Sequence, residues 1–359
     1  MKEYTFDKDF IKRISIFLSS PEYLKHKEHS KSEYWKKHSS LFNIKILDNK
    51  VIISGSSGFY EPNQNKIKRI FGSPIFFLKK ILLKLFSKIG FTDLISPEVA
   101  FNNLNAFNRK DKNSEPYSKF FGANSSFRLD HYKIAEKSGA FKSIKHIKRA
   151  VKNRYSLNFQ MIYSYYIFNI LNYFIVNKRN KTILEIGGGS GNLLSVLFDN
   201  FDAATLIDVD LPETLSSAIF FIKDLYPNAK ILMPNEANNK NFNDYDFVFL
   251  TPSQINLLQE DSLDIAVNIC SFQEMTKEQV SEYFNFLDKS VKHTGVFLST
   301  NRAEKFAAPN TNGSLENEPS RFSNYPWREK NKILAFEVCP LFHQVNPNCH
   351  FMRIDSFNK

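Results

Sequence analysis

From about Leu157 onward, apolar residues alternate between two spacings. Blocks long enough for a helix (NFQMIYSYYIFNILNYFIV, NLLSVLFDNF, ETLSSAIFFIKDLY) are interleaved with short runs rich in β-branched residues (KTILEI, AATLIDV, DFVFLT, LDIAVNI, TGVFLST). Strands that take turns with helical segments of ten or more residues predict a parallel, doubly wound sheet with helices on its faces. Beyond Thr300 the order changes. A loop rich in Asn, Pro, Ser and Gly (APNTNGSLENEPSRFSNYP) leads to two strand patterns, KILAFEV and CHFMRI, separated by a short Pro/Asn connection. These predict an antiparallel hairpin at one edge of the sheet.

The first part of the chain carries weaker patterns. NIKILDNKVIISG reads as a hairpin turning near Asp48-Asn49, and PIFFLKKILLKLFSKIGF repeats Lys80, Lys84 and Lys88 opposite Phe77, Ile81 and Leu85. The latter, within residues 73–91, is a basic amphipathic helix. It suits either a lid helix whose lysines face water or a helix lying in a membrane interface. The expected division is a mainly helical, basic N-terminal cap or substrate domain over 1–155 and an α/β domain over 156–359.

Charge supports that division. The net charge of +11 hides an asymmetry: residues 1–160 hold 31 Lys/Arg against 14 Asp/Glu, and the remainder 17 against 23. A positive N-terminal surface attracts polyanions without choosing among nucleic acid, anionic lipid and acidic glycan. With 359 residues, 42% of them hydrophobic, the chain can bury a sizeable core and is not a disordered polymer. Cys270, Cys339 and Cys349 are too few for a disulfide framework and point to a reducing compartment. The N-terminus lacks the apolar core of a signal peptide, and no apolar run reaches the roughly 18 residues of a membrane span. The expected location is cytoplasmic, with contact at the inner membrane face through 73–91 as the peripheral option.

The most informative stretch is TILEIGGGSGN, Thr182 to Asn192, a strand running into four glycines and then a helix. Backbone can approach a ligand closely there, with free N–H groups aimed at negative charge. A dinucleotide fingerprint G-x-G-x-x-G needs glycine at position 192 or 194, where Asn192 and Leu194 stand. What remains is G-x-G-x-G over Gly187, Gly189 and Gly191, preceded by the acidic Glu185.

An acidic residue before G-x-G-x-G resembles the first motif of the class I S-adenosylmethionine (SAM)-dependent methyltransferases. The resemblance implies a Rossmann-like methyltransferase sheet and SAM as cofactor. It also implies that Glu185, Gly187, Gly188, Gly189, Gly191 and Asn192 hold the methionine part, the acid drawing the amino group and the helix N-terminus the carboxylate. In ATLIDVDLPETL, Asp208 and Asp210 both stand where the second strand ends. A carboxylate there can accept from two ribose hydroxyls. Asp-Leu-Pro-Glu is similar to an element of small-molecule O-methyltransferases and favours Asp210, with Asp208 as competitor by strand position. Ser253 and Gln254, after Thr251-Pro252, are expected to border the adenine.

After the fourth strand the sequence reads Asn268-Ile269-Cys270-Ser271-Phe272-Gln273-Glu274-Met275, at the carboxyl edge where a transferable methyl would project. Asn268 and Ser271 are expected on the cofactor side. DLPET, SFQEM and Ser299-Thr300-Asn301 together resemble a bacterial family of sugar O-methyltransferases over about 182–302. That resemblance implies a sugar or glycan acceptor, lipid-linked or free, in surface polysaccharide biosynthesis. An RNA methyltransferase that uses the basic N-terminal part, or a small-molecule O-methyltransferase, is the alternative. Nucleic acid is the less favoured partner, since no RNA-binding motif is present and the segment after the fourth strand is not N-P-P-Y.

A sugar hydroxyl is a poor nucleophile at neutral pH, so a base is expected beside it. Glu274 and Gln273 are the candidates by motif; the plain alternative for Glu274 is an acid at a helix start. His131, next to Asp130, and His343 or His350 from the C-terminal hairpin are further candidates. Cys339, His343, Cys349 and His350 fall within a zinc-like spacing. Cys349 and His350 are adjacent, however, and would point to opposite faces of a strand, so no metal site is expected.

Overall fold

In the computed structural model, the described residues are 2–24, 43–54, 159–305, 320–339 and 349–359. The chain divides into two compact units, one formed by Glu3–Phe59 with Ile170–Lys359 and the other by Tyr60–Asn169. The expected boundary at 155/156 lies outside the described residues. The amphipathic segment 73–91, His131 and His343 all lie outside the described residues.

The larger unit is built on an eight-stranded sheet. Its strands are β4 (Thr182–Ile186), β5 (Thr205–Val209), β6 (Ile231–Leu232), β7 (Phe247–Leu250), β8 (Leu263–Ile269), β9 (Val291–Arg302), β12 (Lys332–Val338) and β13 (His350–Ser356). Their spatial order is β12-β13-β9-β8-β4-β5-β7-β6. Six strands, β4 to β9, run parallel, and β13 and β12 close the far edge antiparallel. The chain builds outward from β4 in one direction, then returns to place β8 and β9 on the other side. The crevice between β4 and β8 is therefore the topological switch point, where α/β sheets bind ligands. This is a Rossmann-like, doubly wound sheet that ends in the expected antiparallel C-terminal hairpin.

Burial explains the strand sequences. Every residue of β5 is buried, as are the last four of β4, because helices cover both faces of a parallel sheet. Those helices include α4 (Asn192–Asn200), α5 (Pro212–Leu225) and α6 (Lys277–Ser290). α5 opens on Pro212, whose fixed φ suits the first turn. α6 opens on Thr276, whose side chain accepts from Gln279 N–H while Gln279 reaches back to Thr276 N–H at 3.0 Å. A cluster of Phe272, Phe284, Phe297, Tyr325 and Trp327 fills the space between α6 and β9.

The N-terminal residues belong to the same unit. β1 (Lys2–Thr5), β2 (Asn43–Leu47) and β3 (Lys50–Ser54) form a small sheet, and α1 (Lys8–Leu18) is capped by Asp7, which accepts from Phe10 N–H at 2.8 Å. The expected β2–β3 hairpin is present, with Asp48 at φ 50° in its turn. Phe6 stacks on Phe220 of α5 and Phe10 meets that ring edge-on, and Arg13 makes two bonds of 2.7 Å to Glu236. These contacts join positions over 200 residues apart, a link that local periodicity does not reveal. A further helix, α3 (Phe159–Phe174), precedes β4.

Candidate active site

The turn after β4 is held by the end of β5. Gly187 N–H donates to the Val209 carbonyl at 2.8 Å, Gly188 N–H to Asp208 Oδ1 at 3.1 Å, and Gly189 N–H to Asp210 Oδ2 at 2.8 Å. Gly187 sits at φ 76°, and a Cβ added there would collide with the Ser271 side chain. Gly191, at φ 75°, is the N-cap of α4. Both positions need the left-handed backbone that glycine adopts without strain. The motif is thus a tight loop clamped between the second strand and the turn after the fourth.

Around this loop the structure gathers acids. Glu185 and Asp208 are paired in the parallel β4–β5 register, and Asp210 follows on the same strand end. All three are buried, and none forms an ion pair among the described residues. Burial, reinforced by the charge of Asp210, raises the pKa of Glu185 well above the ordinary carboxylate range. Asp208 is raised in the same way by burial and then by Asp210 and Glu185. Asp210 is pushed up to about 7 by burial, against the hydrogen bonds it accepts from Gly189 and Leu211 N–H groups.

Three buried acceptors here have no protein partner: Glu185 Oε2, Asp208 Oδ2 and Asn192 Oδ1. Unpaired buried polar atoms are costly. A ligand carrying a cationic amine and neighbouring hydroxyls would satisfy all three. A pyrophosphate would meet carboxylates instead of donors. The aspartates differ in detail: each Asp210 oxygen already accepts one backbone N–H, whereas Asp208 keeps one oxygen without a partner.

On the other side of the crevice, Asn268 and Ser271 are structural stitches. Asn268 Nδ2 and Ser271 Oγ both donate to the Ile186 carbonyl, at 3.1 and 2.9 Å. Asn268 Oδ1 accepts from Asn301 Nδ2 at 2.8 Å, and Asn301 Oδ1 accepts from Gln273 N–H at 3.1 Å. Gln273 in turn accepts at Oε1 from Arg302 N–H at 2.8 Å. Its side-chain oxygen is therefore committed to fixing the loop to the end of β9. Gln254 is occupied similarly, accepting from Thr251 N–H at 3.0 Å and donating to the Pro234 carbonyl at 2.7 Å. Ser253 shares a 3.0 Å hydroxyl contact with Thr251 in the same turn.

Glu274 is not a helix-start acid, because α6 begins at Lys277 behind its own Thr276 cap. It ends a short 3₁₀ turn, Phe272–Glu274, and pairs with Lys305 Nζ at 3.4 Å. Burial is the main cause of the raised pKa of Asp210, and the charge of Glu274 adds to it. Lys305 was not evident in the sequence. It lies on a two-residue strand, β10 (Glu304–Lys305), paired with β11 (Ser320–Arg321). Burial lowers its pKa, opposed by Glu274 and assisted by Arg302. His350 is buried at the start of β13, opposite Arg302. Among the described residues no group of three His, Cys, Asp or Glu is arranged to hold a metal, and no helix is long and apolar enough to cross a membrane.

No protein-family model and no curated protein matches the chain. Solved structures do. A SAM-dependent methyltransferase from Mesorhizobium loti is 14% identical over 52% of this chain and 96% of its own, with a TM-score of 0.35. SAM-dependent methyltransferases from Methanosarcina mazei give 14% identity, 53% and 97% coverage and a TM-score of 0.37. Geranyl diphosphate C-methyltransferase from Streptomyces coelicolor A3(2), solved with Mg2+, geranyl diphosphate and S-adenosyl-L-homocysteine, gives 9%, 55% and 80%, and 0.38. At such scores the fold rests on the strand order and the chemistry on the side chains described above.

Proposed function

We propose that the protein is a SAM-dependent O-methyltransferase that methylates a sugar hydroxyl. The observation that carries the cofactor reading is the set of unpartnered buried acceptors, Glu185, Asp208 and Asn192, around a glycine loop at the switch point. They fit an ammonium and a ribose diol, as SAM offers. Bound there, SAM supplies an electrophilic methyl group to the acceptor oxygen.

The chain's own residues then have distinct tasks. Glu185 and Asn192 bind the amino-acid end at the start of α4. Asp208 and Asp210 take the ribose hydroxyls, Asp208 with its unpartnered oxygen and Asp210 while bracing the loop. The Asn268–Asn301–Gln273 network fixes the floor on which the acceptor must lie in line with the methyl. Glu274, held by Lys305, accepts the proton leaving the sugar hydroxyl. The sugar acceptor rests on the likeness of DLPET, SFQEM and Ser299-Thr300-Asn301 to sugar O-methyltransferases.

The test compares surface glycans and RNA from cells with and without the gene by mass spectrometry. Loss of one methyl from a glycan supports the reading, and a change confined to RNA contradicts it.

A further inference from the structure

Arg302 is the last residue of β9 and reaches the carboxyl edge of the sheet, where acceptor must approach. It is half-buried and makes no ion pair among the described residues, and its Nε is fully buried with no acceptor. A guanidinium presents five N–H donors in a planar fork, so burying one of them without an acceptor is costly unless a ligand completes it.

Lys305 lies three residues on, on β10, with a largely buried side chain; burial lowers its pKa, and the charge of Arg302 adds to that effect. His350 faces Arg302 across the β9–β13 register. Glu274 is a carboxylate in contact with Lys305. Whereas the glycine loop is bordered by the carboxylates of Glu185, Asp208 and Asp210, this corner carries two cationic side chains, Arg302 and Lys305. Its backbone is not adjustable, because Arg302 N–H is fixed by Gln273 Oε1 and Gln273 by Asn301.

We propose that Arg302 and Lys305 form an anion-binding subsite for a carboxylate or phosphate group carried by the acceptor, beside the hydroxyl that is methylated. The inference rests on the proposed methyltransferase reading and narrows its substrate class to an acidic sugar. A planar carboxylate or a phosphate oxygen pair matches the fork of Arg302, with the Lys305 ammonium as the second contact. The anion also offsets the charge of the two cations. A neutral sugar leaves Arg302 Nε unpaired.

The experiment is ligand-observed NMR titration of the full chain with glucuronate, glucose 1-phosphate and glucose, with and without S-adenosylhomocysteine. The two anions distinguish a carboxylate from a phosphate. The expected result is binding of at least one anion, with glucose at least tenfold weaker. Arg302→Gln and Lys305→Met each weaken the anion at least tenfold, Arg302→Lys recovers part of the loss, and S-adenosylhomocysteine affinity stays within twofold. Equal binding of glucose, no binding of either anion, or anion affinity unchanged in both Arg302→Gln and Lys305→Met would overturn the subsite. Failure of S-adenosylhomocysteine to bind the unmodified protein would instead contradict the cofactor reading, whatever the anions do.

Discussion

Glu185 and Asp208 stand opposite each other on neighbouring parallel strands, two buried carboxylates each with an oxygen that accepts no hydrogen bond from the protein. Such a pair repels itself and is desolvated, so it lowers the stability of the ligand-free fold. Its retention makes physical sense if a cationic, hydroxyl-bearing ligand completes it.

Glu185→Gln keeps the shape and removes one charge. Thermal denaturation of the ligand-free protein should show a higher melting temperature. Calorimetry should show S-adenosylhomocysteine bound at least about tenfold more weakly, the effect of losing a charge-assisted hydrogen bond worth about 1.5–3 kcal/mol. An unchanged affinity would remove Glu185 from the site.

The pH dependence follows from Asp210. Its folded pKa of about 7 lies above the ordinary value of 3.8, so between these limits the native state holds the extra proton. Native stability contributed by this group is then present at low pH and falls as pH rises through the folded pKa. The expected outcome is a ligand-free melting temperature that declines from pH 5 to pH 8, with the shift caused by S-adenosylhomocysteine growing over the same range. Asp210→Asn should flatten both trends.

Much of this was legible in the chain. TLIDV, read within AATLIDV as a strand of a doubly wound parallel sheet, forms β5 and is buried at every position, and Asn192 and Leu194 sit in α4 where a dinucleotide motif would need glycine. Asp208 and Asp210 were found together, but periodicity could not divide the work between them, since that depends on which oxygens the glycine loop uses. The tasks of Gln273 and Gln254 were hidden because their partners, Arg302 N–H and the Pro234 carbonyl, are remote in sequence. Lys305 gave no signal for the same reason: its strand is two residues long, and Glu274 comes from another element. The packing of Phe6 and Phe10 on Phe220 likewise has no local signature.

Gly187→Ala places a side chain at φ 76° and against Ser271. The strain of such a position is about 1–3 kcal/mol. Urea denaturation should show a loss of that order, and binding of S-adenosylhomocysteine should disappear.

Asn301→Ala leaves Asn268 Oδ1 and the Gln273 N–H without their partners in a buried region. Each orphan costs about 1–3 kcal/mol. The variant should unfold at lower denaturant, and in the fraction that remains folded, turnover should fall more than cofactor affinity.

Glu274→Gln should lower turnover by about 10²–10⁴-fold, the usual contribution of a positioned base. Affinity for S-adenosylhomocysteine should change less than twofold. Steady-state rates at saturating SAM, with the acidic acceptor identified by the anion titration, check both.

The loop from Gly187 to Gly191 and its acidic neighbours are expected to hold SAM. Calorimetric titration of the purified full chain with S-adenosylhomocysteine and, separately, with NAD tests it most directly. Saturable 1:1 binding of S-adenosylhomocysteine that is lost in Gly187→Ala and weakened in Glu185→Gln, with no heat from NAD, is the predicted result. Binding of NAD without S-adenosylhomocysteine would contradict it.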